Sequence, residues 1–375
     1  MKIAFFIDNM SMGGAQRVVS VLSSCFAKEG HEVSIVIRQA SFGIAYVPDP
    51  TVKSVILERE VADLPLAKLP FHRARKFLAQ HSDTFADVNT YYDEGERALA
   101  YFRKNPVDVI FSFLVDTNIS AALCAKKLGI RTIVAERNFP DCPMPDYLKR
   151  LRNFAYKKAD TCVFQTEEQK LAFPRGVQKK GVVIFNPIKE DLPDPFTGER
   201  NHTIVNHCGY KAQKNTALLI DAFAKVAKKH PDYSLDLYGY GELKDRLQEQ
   251  LNALGLAGKV RLLPFEKEIH KLLLPSSMFV MSSDYEGMPN TLMEAMGIGL
   301  PVISTDCKGG GAKALIRNHE NGLLTPLGDA DALAEAMEFY IEHPDKAAEY
   351  AKNALAIKEA LSVDKIAEKW LTLCS

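Results

Sequence analysis

Short, almost entirely apolar runs alternate with longer amphipathic stretches along the chain, and this alternation limits the possible folds most. Seven such runs come before residue 187 and six come after residue 201, from residues 2–8 to residues 321–327. Strands separated by helical patterns form right-handed βαβ crossovers and therefore parallel sheets. Runs with so few polar residues are typical of strands covered on both faces. The sequence therefore predicts an α/β protein with doubly wound parallel sheets.

A single break interrupts the alternation at residues 187–201. Three prolines and a glycine stand in this segment, which cannot continue a helix. We therefore predict two Rossmann-like domains facing each other across a cleft, residues 1–188 and 189–356. The final stretch, residues 357–375, has an apolar face at helical spacing that needs a cover. That face consists of Val363, Ile366, Ala367, Trp370 and Leu371.

Charge and cysteine usage exclude several classes of protein. The 375 residues carry 47 basic and 47 acidic side chains, so the overall charge does not indicate a nucleic-acid binder. The seven cysteines are scattered without C-x-x-C spacing, which favours free thiols in a reducing compartment over a zinc site or disulfides. The first apolar run ends at Asp8 and is too short for a signal sequence. We therefore expect a cytoplasmic protein.

Ligands of open parallel sheets bind beyond the carboxyl ends of the strands, so the loops after strands should carry the chemistry. Gly13 and Gly14 follow the first strand and open a helix, where backbone N–H groups can approach an anion. Lys211 and Lys214 follow the first strand of the second domain, directly before another helical pattern. A lysine has the wrong charge for a helix N-terminus, so the pattern indicates an anion between the lysine and the helix. A solvated surface loop is the alternative.

The stretch "SSDYEGMPNTLMEAMGIGLPVIS", residues 282–304, places two glutamates eight residues apart. Pro289 suits a first helical turn, and the amides of residues 287–291 would then point out of the helix end towards an anion. Glu286 lies just before that end, and Glu294 about two turns in. Alternatively, Glu286 only caps the helix and Glu294 is a solvated residue. The glycine-rich loop 309–311 precedes one more helical pattern, and together these loops favour a phosphate-bearing ligand.

At this point the chain resembles the retaining glycosyltransferases of family 4, whose GT-B fold has two Rossmann-like domains. The most specific stretch is residues 282–310, where Glu286 and Glu294 match the family's E-x7-E pattern. "GGAQR" at 13–17, "QKN" at 213–215 and "ENGLLTPLGDADALAEAM" at 320–337 are also similar. "IVAERNFP" at 133–140 is similar to the ERN-x-P loop of enzymes that assemble bacterial surface and capsular polysaccharides.

The resemblance implies a role for each matching residue. Glu286 would approach the donor sugar, Lys214 would neutralise the diphosphate, and Glu294 would bind the ribose. Arg137 is a further catalytic candidate, and Glu136 and Asn138 are candidates for acceptor binding. The remaining donor-binding candidates are Gly13, Gly14, Lys211, Gly287, Met288, Pro289, Asn290 and Thr291.

The resemblance also implies partners and a domain arrangement. The first domain would bind the acceptor, a glycan or lipid-linked oligosaccharide, and the C-terminal helix would pack back onto it. The second would bind the nucleotide sugar, with UDP favoured over GDP and with neither a metal nor a cofactor. Two departures stand out, because Tyr210 replaces an arginine common in the family and Ala314 replaces a common glutamate. Lys211 is the candidate substitute for the missing arginine.

Other interpretations stay open. A non-catalytic nucleotide-sugar-binding partner would explain the missing arginine, and a sugar-nucleotide epimerase can share the two-domain architecture. The absence of the glycine fingerprint argues against a dehydrogenase. Asp329 and Asp331 have the spacing of a metal-binding D-x-D motif, but they open a helical pattern and fit capping better. The basic stretches 66–80 and 146–160 fit either contact with an anionic membrane or ordinary surface helices.

Overall fold

The computed structural model describes residues 1–39, 43–61, 83–139, 143–266 and 268–375. These residues form two compact units, one of Met1–Pro187 with Val363–Ser375, the other of Ile188–Ser362. The basic stretch 66–80 lies outside the described residues, and so does Cys142. Every cysteine that is described is a free thiol. No helix in the described part of the chain is long and apolar enough to cross a bilayer.

The first unit contains a seven-stranded parallel sheet in the order β3-β2-β1-β4-β5-β6-β7. Its strands are β1 (Lys2–Ile7), β2 (Glu32–Ile37), β3 (Lys53–Ile56), β4 (Val109–Phe113), β5 (Arg131–Ala135), β6 (Thr161–Phe164) and β7 (Gly181–Val183). Its helices up to residue 187 are α1 (Gly14–Lys28), α2 (Leu57–Glu60), α3 (Asp83–Lys104), α4 (Val115–Leu128), α5 (Asp146–Tyr156), α6 (Glu167–Leu171) and α7 (Arg175–Gln178). Helices between parallel strands cover both faces of the sheet, as the apolar runs predict.

The second unit contains a six-stranded parallel sheet in the order β10-β9-β8-β11-β12-β13. Its strands are β8 (Thr203–His207), β9 (Ser234–Tyr238), β10 (Val260–Leu263), β11 (Met278–Met281), β12 (Val302–Thr305) and β13 (Leu323–Thr325). Its helices are α8 (Thr216–Lys229), α9 (Lys244–Ala253), α10 (Ile269–Leu273), α11 (Asn290–Gly297), α12 (Gly311–Leu315), α13 (Ala330–Glu342), α14 (Pro344–Ala354) and α15 (Ile357–Ala360). The prediction of two doubly wound parallel sheets is confirmed.

The C-terminal stretch returns to the first unit as helix α16 (Val363–Leu371) and a final 3-10 turn. Trp370 is fully buried, 5.4 Å from the ring of Phe111 edge-on and 5.4 Å from Phe113 in a stacked arrangement. The first unit therefore supplies the cover that the apolar face requires. Residues 357–375 do not form one helix, however. Helix α15 ends at Ala360 and α16 begins at Val363, and between them the Leu361 carbonyl accepts a hydrogen bond from the Ile188 N–H.

The second basic stretch, residues 146–160, is mostly helix α5. Its arginines do not all face outward, because Arg152 is buried with its guanidinium 4.5 Å from the ring of Phe173. Phe154 is 52% exposed, and the ammonium of Lys158 lies 5.1 Å from its ring. Contact with a membrane stays a prediction.

Candidate functional site

Three loops of the second unit meet because their strands are neighbours in the sheet. Strand β11 lies between β8 and β12, so the loops that follow these strands lie side by side at the carboxyl edge. The Asp284 N–H donates to the Gln213 carbonyl at 2.8 Å, and the Gln213 amide donates to the Tyr285 carbonyl at 2.8 Å. The Asn215 amide donates to the Asp284 carboxylate, also at 2.8 Å. The loops after β8 and β11 therefore form one connected structure.

Lys214 and Glu286 form an ion pair at this junction. The Lys214 Nζ lies 2.5 Å from Glu286 Oε1, which also accepts from the Ser283 hydroxyl at 2.7 Å. Glu286 is 7% exposed, so its carboxylate is held by these partners rather than by water. Burial acts to lower the pKa of Lys214, but the charge and hydrogen bond of Glu286 outweigh it and raise that pKa above its ordinary value. The site therefore contains a fixed ammonium group.

The loop after β12 supports Glu286 from the other side. The Glu286 N–H donates to the Lys308 carbonyl at 2.9 Å, and the Lys308 N–H donates to the Asp284 carbonyl at 3.0 Å. Gly311 touches this loop closely: a Cβ atom there would lie 2.1 Å from the Gly287 carbonyl oxygen and 2.8 Å from Pro289 Cδ. Glycine is required at 311 by this close approach.

We expect Gly311→Ala to displace the loop that carries Glu286, since the clash is with backbone that cannot rotate away. Overpacking of this kind costs about 1–3 kcal/mol of stability. The loss is measured by urea unfolding. The matched control is Gly95→Ala, where the new Cβ would have only an ordinary 3.9 Å neighbour. Equal behaviour of the two variants would contradict the close approach.

Helix α11 begins directly after the Glu286 loop. Pro289 stands immediately before its first residue, Asn290, rather than inside the first turn as predicted. The first amides of any helix have no acceptor within the helix, and its N-terminus carries partial positive charge. Residues 287–291 thus adjoin the Lys214–Glu286 pair and include a feature that favours anions. The arrangement is suited to a phosphate.

Glu294 is not a solvated residue, and that alternative is wrong. Its side chain is 13% exposed, and its Oε2 lies 2.9 Å from the Nε2 of His270 on α10. His207, at the end of β8, is buried next to these groups, and its Nε2 has no hydrogen-bond partner among the residues that the structure describes. Burial lowers the pKa of His207 to about 4, although the charge of Glu294 opposes this, so the imidazole is neutral. Sequence analysis missed both histidines, since nothing in their spacing links them to Glu294.

Tyr210 stands where the resemblance implies an arginine, but its side chain does not take the place of that arginine. Tyr210 is 1% exposed and donates its hydroxyl to the Leu237 carbonyl at 2.6 Å, so its side chain is part of the core. Lys211 is exposed and stands at the start of the short 3-10 turn Ala212–Lys214. A role for Lys211 in place of the arginine stays a prediction.

The candidates Gly13 and Gly14 lie in the first unit. Helix α1 begins at Gly14, and the Gly13 carbonyl accepts from the Arg17 N–H at 3.1 Å. The predicted glycine-led helix start after β1 is therefore present. A role for these two glycines in donor binding stays a prediction.

Arg137 follows β5 in the first unit and is 8% exposed. Its guanidinium lies 4.5 Å from the ring of Phe113 and 5.3 Å from that of Trp370, and one N–H donates to the Asn186 side chain at 2.9 Å. Burial lowers the pKa of Arg137 to about 9, against the opposing charge of Glu136. The cation–π contacts and the hydrogen bond hold the Arg137 side chain in place. A catalytic role for Arg137 stays a prediction.

The acceptor-binding candidates Glu136 and Asn138 are adjacent. Glu136 is 2% exposed and accepts hydrogen bonds from the N–H groups of Arg137 and Asn138 at 2.9 and 3.1 Å, and from the Tyr156 hydroxyl at 3.0 Å. Both carboxylate oxygens thus have partners within the first unit. This carboxylate shapes its own loop, and an acceptor contact stays a prediction.

Asp329 and Asp331 belong to a helix start, as predicted. Asp329 is the N-cap of α13 and accepts from the N–H groups of Asp331 and Ala332 at 3.0 and 2.9 Å. Asp331 pairs with Lys225 on the surface. Their spacing is explained by capping.

Comparisons with known proteins match both units. A family model described as Glycosyltransferase Family 4 matches residues 12–192, and one described as Glycosyl transferases group 1 matches residues 196–356. EpsD of Bacillus subtilis, which is named as a glycosyltransferase, is 32% identical over 273 residues, covering 66% of this chain and 71% of EpsD.

A further relative and a solved structure each span essentially the whole chain. The GalNAc-alpha-(1->4)-GalNAc-alpha-(1->3)-diNAcBac-PP-undecaprenol alpha-1,4-N-acetyl-D-galactosaminyltransferase of Campylobacter jejuni is 27% identical over 378 residues, covering 100% of this chain and 98% of that protein. The crystal structure of Anabaena HepE in complex with UDP superposes with a TM-score of 0.79 at 18% identity, covering 99% of each chain. At 18% identity, the similarity to HepE is one of fold alone.

Proposed function

The chain belongs to glycosyltransferase family 4, and from this membership we propose that it moves a hexosyl or N-acetylhexosaminyl group from a UDP-sugar to a glycan or lipid-linked acceptor. The pathway we propose is the synthesis of a bacterial cell-envelope polysaccharide. The observation that carries the proposal is the Lys214–Glu286 ion pair beside the N-terminus of α11. Support for UDP and for an undecaprenol-linked acceptor comes from the ligand of HepE and the name of the Campylobacter relative.

In the proposed reaction, the bond between the sugar C1 and the diphosphate oxygen breaks while C1 bonds to the acceptor hydroxyl oxygen. Negative charge grows on the departing diphosphate. Lys214 and the amides at the start of α11 are fixed donors that would stabilise this charge without a metal, and preorganised donors of this kind are among the largest contributors to catalysis. Lys214 remains protonated throughout, in keeping with its raised pKa.

The proposed outcome is retention of configuration at C1. The acceptor hydroxyl attacks from the face that the diphosphate leaves, and its proton passes to a diphosphate oxygen. Glu286 would lie against the donor sugar, where its carboxylate favours the positive charge that develops on the ring. Glu294 would accept hydrogen bonds from the ribose hydroxyls, and the buried position of its carboxylate supports that role.

The test uses the purified full chain. Thermal unfolding is followed with UDP, GDP and their sugar conjugates, because a ligand that binds only the native state raises the midpoint temperature. At a ligand concentration of 100 times its Kd, the free energy of unfolding rises by about 2.7 kcal/mol. Lipid-linked oligosaccharide and the best donor are then incubated with and without EDTA, and the product linkage is determined by NMR.

We expect stabilisation by UDP, transfer that persists in EDTA, and an α-linked product from an α-linked donor. Nucleotide binding without transfer to any acceptor would favour the non-catalytic partner. A changed sugar nucleotide without acceptor would favour the epimerase. Inversion of the linkage would reject the proposed stereochemistry.

A further inference from the structure

His270 contacts the Glu294 carboxylate from a neighbouring helix. His270 lies on α10 and Glu294 on α11, and their side chains are 8% and 13% exposed. An ionised carboxylate can only accept, so the Nε2 of His270 must carry the proton in their 2.9 Å hydrogen bond. The bond therefore fixes both the tautomer of His270 and the direction of the carboxylate.

We propose that His270 is a positioning residue that sets how strongly this enzyme selects a nucleotide with an intact ribose. The inference rests on the proposed function, in which Glu294 binds the ribose hydroxyls. A glutamate on a helix can adopt several rotamers, and ordering it when the ligand arrives lowers affinity. A hydrogen bond already present in the protein removes that cost.

The alternative is that the pair only stabilises the packing of α10 on α11. The chain offers a comparison in the same unit, where His230 Nε2 lies 3.7 Å from Glu342 Oε1, which is beyond hydrogen-bond distance. His230 follows α8 and Glu342 ends α13, so neither belongs to the candidate site. A histidine lost there should affect stability alone.

The experiment measures Kd by calorimetry for UDP and for 2′,3′-dideoxy-UDP, which lacks both ribose hydroxyls. If GDP is the nucleotide that binds, GDP and its dideoxy analogue replace them. The variants are His270→Leu, which removes the donor, His270→Gln, which keeps an N–H donor, Glu294→Ala, and His230→Leu as the control.

We expect the wild-type protein to bind UDP about 10- to 100-fold more tightly than dideoxy-UDP, as a hydrogen bond to a charged group implies. His270→Leu should reduce this preference to about threefold or less, with little change in the affinity for dideoxy-UDP. His270→Gln should recover most of it, and His230→Leu should keep it.

Each other outcome has a definite meaning. A preference that Glu294→Ala leaves intact would reject the ribose assignment in the proposed function. A preference abolished by Glu294→Ala but kept by His270→Leu would reject only the role of His270. An equal loss for both nucleotides in His270→Leu would make the pair structural and overturn the inference. If His270→Leu does not fold, His270→Asn takes its place, because the shorter asparagine side chain should not reach the Glu294 carboxylate. Equal preferences for UDP over dideoxy-UDP in His270→Asn and His270→Gln would then overturn the inference.

Discussion

Replacing Lys214 with methionine is expected to lower kcat by about 10²–10³-fold, as loss of a preorganised donor at a developing negative charge does. The side chain keeps much of its length but loses its charge. Donor affinity should fall as well, because the ammonium would contact the diphosphate in both the bound and the reacting state. The measurement is kcat and KM for the UDP-sugar, with Kd for UDP.

Two further variants separate charge from packing. Lys214→Arg keeps a cation and should retain more activity than Lys214→Met. Lys225→Met removes a lysine that pairs with Asp331 on the surface of the same unit and should change kcat less than twofold. Normal kinetics in Lys214→Met would remove this lysine from the site.

The sequence predicts most of the fold because each strand has its own local signal. Apolar runs of β-rich composition identify the strands of both sheets, and the proline-rich segment separates the two sets of strands. The path of the C-terminal stretch is less predictable. At its break the Leu361 carbonyl accepts a hydrogen bond from Ile188, more than 170 residues away along the chain, and no local pattern predicts that contact.

The same distinction applies to the candidate site. Glycines, a proline and charged residues in loops after strands predict chemistry at residues 214 and 286, but they do not predict that Lys214 and Glu286 touch. Their contact follows from the strand order, which places β8 beside β11. His270 contacts Glu294 from a separate helix, so its role becomes visible only in three dimensions. The loop of Glu136 and Arg137 is distinctive in the sequence, but the sequence does not show that both side chains have hydrogen-bond partners within the first unit.

Glu286→Gln is expected to produce the second large loss of transfer, about 10²–10³-fold in kcat, because a neutral amide no longer favours positive charge on the sugar ring. The amide is nearly isosteric, so the bond with the Ser283 hydroxyl can be kept and the loop should stay in place. UDP affinity should not fall. In the wild-type protein the charge of Glu286 raises the pKa of Lys214 against the effect of burial, and in the variant the bound diphosphate would supply that negative charge.

The opposite signs of these effects distinguish the two residues of one ion pair. Lys214→Met should weaken both UDP binding and transfer, whereas Glu286→Gln should lower transfer with UDP binding unchanged or tighter. The double variant tests their coupling: residues in direct contact give non-additive effects, so its kcat should be close to that of the worse single variant. Losses in kcat that simply multiply would mean that the two side chains act independently. Transfer by Glu286→Gln at the wild-type rate would show that this carboxylate serves only to fix the lysine.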